Sequence, residues 1–237
     1  TLYSKLNGPK HILTSSESEM LKLSSNAFHA LKVGFANEIG RYSEKLGVDS
    51  HKVMEIFTED KKLNISKSYL KPGFAFGGSC LPKDLQSLTA QSKKLGIGLP
   101  ILEGTLTSNN LHIEHAASKI LSYKPKSIGI LGLGFKPNSD DVRESPSVHL
   151  IQKLKPNCKN ISFYDPDINI KTMLGSNLEY LNSQIPDISF MTCDNIDDLI
   201  HKSSLIVITQ IREEFSKIYA KIPKKKIIVD LVKLKKN

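Results

Sequence analysis

Cysteine is scarce in this sequence. Only Cys80, Cys158 and Cys193 occur, far apart and odd in number, and no CxxC pair exists. That argues against a disulfide framework or a cysteine-built zinc site and points to a reducing compartment, with the cytoplasm expected. Long apolar runs are missing too. The longest, "SIGILGLGF" and "SLIVITQ", fall far short of the ~20 residues that span a bilayer, and no signal peptide is visible. The aromatic–basic interleaving of single-strand nucleic-acid binders is also absent. The formal charge of +9 nevertheless suggests an anionic partner. Nucleic acid, an acidic membrane surface and a phosphorylated metabolite all fit that sign. Part of the charge is local: "PKKKIIVDLVKLKKN" holds six lysines, which read equally well as a solvated basic tail.

What is present is enough for one large or two ordinary domains: 237 residues, 39% of them apolar. The chain opens at Thr1 rather than Met, so it is expected to be a fragment. "HILTSSESE" reads as a strand end and then a helix start, capped by Ser16 or Ser18 with Glu17 and Glu19 in the first turn. Apolar residues at Leu21, Phe28, Leu31, Phe35 and Ile39 predict a long amphipathic helix that Gly47 ends. A second helix follows, capped by Asp49 or Ser50, then one from about Pro82 to Leu95 and one from about Glu103 to Leu121. The character changes at "SYKPKS", residues 122–127. Beyond it apolar strands alternate with helices, the pattern of a doubly wound parallel sheet. The fold class expected is α/β: a helical domain over 17–122, then a Rossmann-like domain over 123–237.

Three stretches carry chemistry. In "PGFAFGGSCLPKDL", Pro82 suits a first helical turn, so Cys80 falls at the helix N-terminus, where free N–H groups and the dipole favour a thiolate. Lys83 adds positive charge, and Gly77 and Gly78 permit a close approach to the backbone. Asp84, four residues after the thiol, shares its helix face and could hold a water or a proton. A buried cysteine in a tight turn is the competing reading. In "KLSSN", Lys22 and Asn26 also stand four apart and could donate to an oxyanion, or form an ordinary solvated face. His29 and Asn37 continue roughly the same side. "GILGLGFKPNSDDVRESPS" supplies Gly132 and Gly134 after a strand but has Pro137 where a dinucleotide fingerprint needs its third glycine. It reads as a Rossmann-like turn that sets Lys136 and Arg143 at the sheet's C-terminal edge, with the next helix starting at Ser145–Pro146. A fold turn without a ligand is the alternative. Cys158 and Cys193 have no such context and read as structural.

Taken together, "KLSSNAFHALKVGFANEIG", "PGFAFGGSCLPKDL" and "GLGFKPNSDDVRESP" resemble the central helix, catalytic cysteine loop and C-terminal domain start of the UDP-glucose/GDP-mannose dehydrogenase family. "HALK", "FAFGGSCLPKD" and "VDLV" place it nearer the GDP-mannose branch, since UDP-glucose enzymes carry an arginine where Leu231 follows Asp230. Two positions depart from that branch: Ser68 replaces a frequent tyrosine, and Lys71 a usual arginine, losing bidentate phosphate geometry.

The resemblance implies an NAD-dependent nucleotide-sugar 6-dehydrogenase, a homodimer through the central helix, with no membrane or nucleic-acid partner. Residues 1–16 would be the tail of an NAD-binding domain that this chain lacks, so the fragment alone is expected to be inactive. GDP-mannose would be oxidised by four electrons to GDP-mannuronate, using two NAD and a thiohemiacetal and thioester on Cys80. Asp84 would assist hydrolysis, and Lys22 and Asn26 would stabilise the oxyanions and touch substrate. Further substrate contacts implied are His29, Asn37, Tyr69 and Lys71, together with Phe74, Gly77 and Lys136. Lys83 and Arg143 would reach NAD, and no metal is implied. The rivals are a UDP-glucose or UDP-N-acetylhexosamine dehydrogenase, a non-catalytic nucleotide-sugar-binding or dimerisation module, and a basic nucleic-acid binder.

Overall fold

The computed structural model describes residues 8–65, 73–219 and 221–234. The chain forms two compact units, Thr1–Glu59 and Asp60–Asn237.

The first unit holds α1 (Ser15–Lys45) and α2 (Ser50–Glu59). The cap of α1 is Thr14, not Ser16 or Ser18. Its hydroxyl accepts from the Glu17 N–H at 3.3 Å, and the Glu17 carboxylate accepts from the Thr14 N–H at 2.8 Å. This reciprocal box satisfies two donors that the first turn leaves open. No strand precedes it over residues 9–14. Gly47 ends the helix at φ +67°, and the Val48 N–H reaches back to the Ser43 carbonyl at 2.9 Å. Asp49 then caps α2, accepting from the His51 and Lys52 N–H groups at 3.0 and 3.2 Å. Phe35 and Phe57 join the two helices with ring centroids 5.9 Å apart. Met20, Leu21, Phe28 and Leu31 leave large apolar surfaces exposed on α1.

The second unit begins with α3 (Leu81–Lys94) and α4 (Pro100–Ser122). The latter starts three residues before the expected Glu103, because Pro100 takes the first helical position. Four parallel strands follow: β1 (Ile128–Leu131), β2 (Ile161–Tyr164), β3 (Leu205–Ile208) and β4 (Ile227–Asp230), in the order β2-β1-β3-β4. Between them lie α5 (Pro146–Leu154), α6 (Ser176–Gln184), a 3-10 turn (Ile188–Met191), α7 (Ile196–Lys202) and α8 (Glu213–Tyr219).

Side-chain alternation along the strands splits the apolar interior in two. Ile128, Ile130, Leu205 and Val207 pack with residues of α4, α5 and α6. Leu131, Ile206 and Ile208 pack with α7 and α8. The sheet is thus covered on both faces, the doubly wound arrangement expected. Ile113, Ala116, Ala117 and Ile120 of α4 are buried in the first of these clusters, so the helix before the 122–127 stretch already covers the sheet. Each such isoleucine contributes about 1.5–3 kcal/mol by its burial. Gly129 lets α7 approach β1: a Cβ there would lie 2.3 Å from Ser203 Oγ and 2.5 Å from Leu199 Cδ2.

Of the six C-terminal lysines, Lys226 has a structural task. Its ammonium donates to the Ile200 and Ser203 carbonyls at the end of α7. Burial lowers its pKa. Cys158 and Cys193 are buried as expected, and burial pushes the Cys193 thiol up. No disulfide forms: all three cysteines are free.

Candidate active site

Cys80 is an exposed thiol at the N-cap of α3. Pro82 begins the helix, the Asp84 N–H closes its first turn on the Cys80 carbonyl at 2.9 Å, and the Ser79 hydroxyl stands 4.0 Å from Sγ. A buried cysteine in a tight turn is therefore not what the chain builds. Asp84 and Lys83 are exposed, and their 3.7 Å pairing is a weak surface contact.

The glycines beside the thiol are filled from within the protein. A Cβ on Gly77 would lie 2.2 Å from the Glu144 carbonyl oxygen and 2.5 Å from Pro146 Cδ. One on Gly78, whose φ is +91°, would lie 2.6 Å from the Phe135 ring. The Gly78 N–H donates to the Glu144 carbonyl at 3.3 Å. On the side where a Cβ would stand, the space beside both glycines is thus taken by the chain's own loop 132–146.

That loop carries both predicted cations. Arg143 is held by Asp141 through two parallel bonds, Nε to Oδ1 and Nη2 to Oδ2, each 2.9 Å. Arg143 holds Asp141 below the usual carboxylate range, with the Ser79 hydroxyl adding to the effect; Asp141 in turn raises Arg143. Arg143 is thus a fixed, partly exposed guanidinium on a segment that meets Gly78 and Ser79, the two residues before the thiol. Lys136 is exposed, its ammonium 5.1 Å from the Phe135 ring centroid. Two exposed cations, Lys83 and Arg143, beside one thiol are a donor set that suits a dinucleotide's diphosphate. Ser145 caps α5 as expected, accepting from the Ser147 N–H at 3.2 Å and donating to the Leu133 carbonyl at 2.6 Å.

The G-x-G turn is already occupied by a carboxylate. Asp165, at the end of β2 and only 4% exposed, accepts from the Leu133 and Gly134 N–H groups at 2.8 and 3.0 Å. Gln210, Arg212 and the Asp167 N–H complete its shell at 3.2, 3.3 and 3.0 Å. Arg212 also pairs with Asp167. Asp167 feels burial first, which raises its pKa, but the Arg212 bond and charge and the Asn138 and Ser139 N–H groups hold it below the ordinary value.

The cysteine loop also meets α4. Asn109 bonds both backbone groups of Phe76, and His112 Nε2 lies 2.9 Å from the Gly73 carbonyl. Phe74 is half-buried against the core. Cys80, Asp84, Lys83, Gly77, Phe74, Lys136 and Arg143 thus all belong to the second unit. Lys22 is exposed on α1 of the first unit. Asn26, His29 and Asn37 lie on α1 too, their side chains outside the described residues, as are Tyr69 and Lys71 altogether. Sequence reasoning missed Asn109, Asp141, Asp165 and Arg212. Among the described residues no cluster of histidine, cysteine or carboxylate could hold a metal ion, and no helix is long and apolar enough to cross a membrane.

Two family models match the chain: the UDP-glucose/GDP-mannose dehydrogenase family central domain over residues 16–111, and the same family's UDP binding domain over 129–237. GDP-mannose 6-dehydrogenase of Pseudomonas savastanoi pv. phaseolicola is 38% identical over 232 residues, covering 98% of this chain and 53% of that protein. UDP-glucose 6-dehydrogenase of Rickettsia bellii is 33% identical over 238 residues, covering 95% of this chain and 52% of its own. A crystal structure of a ternary complex of GDP-mannose dehydrogenase from Pseudomonas aeruginosa superposes with TM-score 0.92 at 37% identity, over 100% of this chain and 54% of that one. The chain spans about half the length of the curated relatives it matches. On these matches, which together take in both the cysteine loop and the sheet domain, the chain belongs to the UDP-glucose/GDP-mannose dehydrogenase family.

Proposed function

We propose that this chain supplies the thiol and the nucleotide-sugar site of an NAD-dependent nucleotide-sugar 6-dehydrogenase that acts on GDP-mannose. The observation that carries the reading is Cys80: an exposed thiol at a helix N-terminus, in a loop packed against Phe135, Glu144 and Pro146 of the segment that carries Arg143. Residues 17–122 serve as the central domain and 123–237 as the nucleotide-sugar-binding domain. Similarity to GDP-mannose 6-dehydrogenases along nearly the whole chain supports the choice of sugar.

In this reading the sugar's 6-hydroxyl loses a proton and a hydride and becomes an aldehyde. Cys80 Sγ then attacks C6, and the carbonyl π pair moves to oxygen, giving a thiohemiacetal. Loss of a second hydride from C6 leaves a thioester. Water adds to it, the C–S bond breaks, and the acid and the free thiol form. NAD, when bound, accepts the hydride of each oxidation. Lys83 and Arg143 hold its charged groups. Lys22 and Asn26 donate to the oxygen that becomes anionic, and Asp84 takes a proton from the attacking water. His29, Asn37, Tyr69, Lys71, Phe74, Gly77 and Lys136 line the sugar nucleotide. The apolar stripe Met20, Leu21, Phe28 and Leu31 on α1 supports a homodimer through that helix. The cytoplasm is the compartment, where the thiol stays reduced.

The test is turnover by the full-length protein with GDP-mannose and UDP-glucose supplied separately. GDP-mannose is expected to give kcat/KM at least ~100-fold higher, since a site built on one base leaves polar groups unpaired with another. Turnover with a UDP-sugar alone would move the reading to the UDP-hexose branch. Sedimentation of the same preparation at monomer mass would remove the homodimer.

A further inference from the structure

The cysteine loop has no ladder of its own. Among the described residues, the stretch 73–80 contains neither helix nor strand. Its backbone groups must find partners elsewhere. One side chain serves Phe76 twice. The Phe76 N–H donates to Asn109 Oδ1 at 3.0 Å, and the Phe76 carbonyl accepts from Asn109 Nδ2 at 2.9 Å. Asn109 lies 33 residues away in the middle of α4, whose Ile113 and Ile120 are anchored in the sheet's core. A carboxamide bonding both groups of one residue imitates the neighbouring strand that the loop lacks. It fixes the orientation of the peptide as well as its position, which a single bond does not. Three residues along the same helix face, His112 meets the Gly73 carbonyl. The Glu144 carbonyl takes the Gly78 N–H.

We infer that Asn109 is a positioning residue for Cys80: it sets the loop backbone four residues before the thiol and so aims Sγ at the substrate carbon. The inference rests on the reading of Cys80 as the nucleophile. Asn109 bonds the Phe76 backbone and acts on Sγ through the chain between them. Misplacing a reacting group by about 1 Å costs up to ~10²-fold in rate, so a freed loop lowers kcat, while the sugar-nucleotide contacts outside the loop hold the change in KM to a few-fold.

The experiment uses the full-length protein with Asn109→Ala, with Asn109→Asp, and with Asn110→Ala, a change at an exposed neighbour on the same helix. Asn109→Asp keeps the acceptor for the Phe76 N–H but loses the donor to its carbonyl, and it serves if Asn109→Ala does not fold. Two readouts are taken. Hydrogen exchange of the 73–80 peptide is expected to quicken about tenfold in both Asn109 variants, reflecting the loss of one or two bonds of ~1 kcal/mol each. Acid formation is expected to fall ~10- to 100-fold in kcat, with KM within about threefold. Asn110→Ala leaves both unchanged. The inference is overturned if exchange and kcat stay within threefold of wild type, if exchange quickens while kcat holds, or if kcat falls while exchange holds. Absence of turnover by the wild type with every nucleotide sugar would instead remove the dehydrogenase reading. The exchange arm would then decide alone whether Asn109 holds the loop.

Discussion

Replacing Cys80 with alanine in the full-length protein is expected to cut formation of the sugar acid at least ~10³-fold, with nucleotide-sugar affinity within about threefold of wild type. The size follows from the role. Without a thiol no thioester forms, and the second oxidation loses its covalent intermediate; what remains is the slow oxidation of a hydrated aldehyde. Affinity holds because the thiol is one small group among many contacts. The variant is also clean. Cys80 is exposed and its side chain makes no cap hydrogen bond, so the fold loses little. Binding is read by calorimetry with the nucleotide sugar alone, and acid formation by chromatography of the products. A Cys80→Ala protein that forms acid within tenfold of wild type would remove the nucleophile and leave the cysteine a passenger in a helix cap.

Replacing Asp165 with alanine is expected to destabilise the protein by about 3–5 kcal/mol, since each buried N–H group left without its acceptor costs ~1–3 kcal/mol and Arg212 loses one of its carboxylates. Asp165 is 4% exposed and accepts five hydrogen bonds, from Leu133, Gly134, Asp167, Gln210 and Arg212. Removal leaves two buried turn N–H groups without a partner and takes from Arg212, whose side chain is 9% exposed, one of its two carboxylates. Asp165→Asn recovers part of the loss: it keeps an acceptor for the turn but sets an NH2 group against another donor. Urea unfolding of wild type and both variants measures this, with the slope checked for constancy. A loss under about 1 kcal/mol for Asp165→Ala would mean that water replaces the carboxylate at no great cost. The turn would then be an open anion cradle rather than one that Asp165 fills as part of the fold.

The elements that announced themselves did so through periodicity or punctuation. Pro82 and Pro146 mark helix starts, Gly47 marks a helix end at positive φ, and four apolar runs mark the strands. The doubly wound sheet follows from their alternation with helices. Elsewhere the signals are weak or ambiguous. Helix α6 buries Leu181 alone and starts from Gly175, which offers no side-chain cap, so neither period nor cap reveals it. The 3-10 turn Ile188–Met191 is too short to have a period. The Thr14–Glu17 box is legible as threonine and glutamate three apart, but serines nearby offer rival caps.

In the site, Cys80, Gly78 and Arg143 could be named because each departs from what a plain loop needs. Their partners could not. Asn109 is one polar residue on a long helix, 33 positions from Phe76, and only the packing of α4 brings them together. Asp165 reads as an acid after a strand; that it fills the turn after β1 depends on β2 lying beside β1. For Gly77 and Gly78 the sequence shows that space is needed. The structure shows that Glu144, Pro146 and Phe135 take it.

The measurement that bears most directly on the central claim is the number of NADH formed per sugar consumed by the full-length protein on limiting GDP-mannose. A thiol that captures the aldehyde and carries it through a thioester requires two NADH for each GDP-mannuronate. One NADH per sugar, with free aldehyde as the product, would contradict that role: the cysteine loop would then play no part in the chemistry of a simple alcohol dehydrogenase.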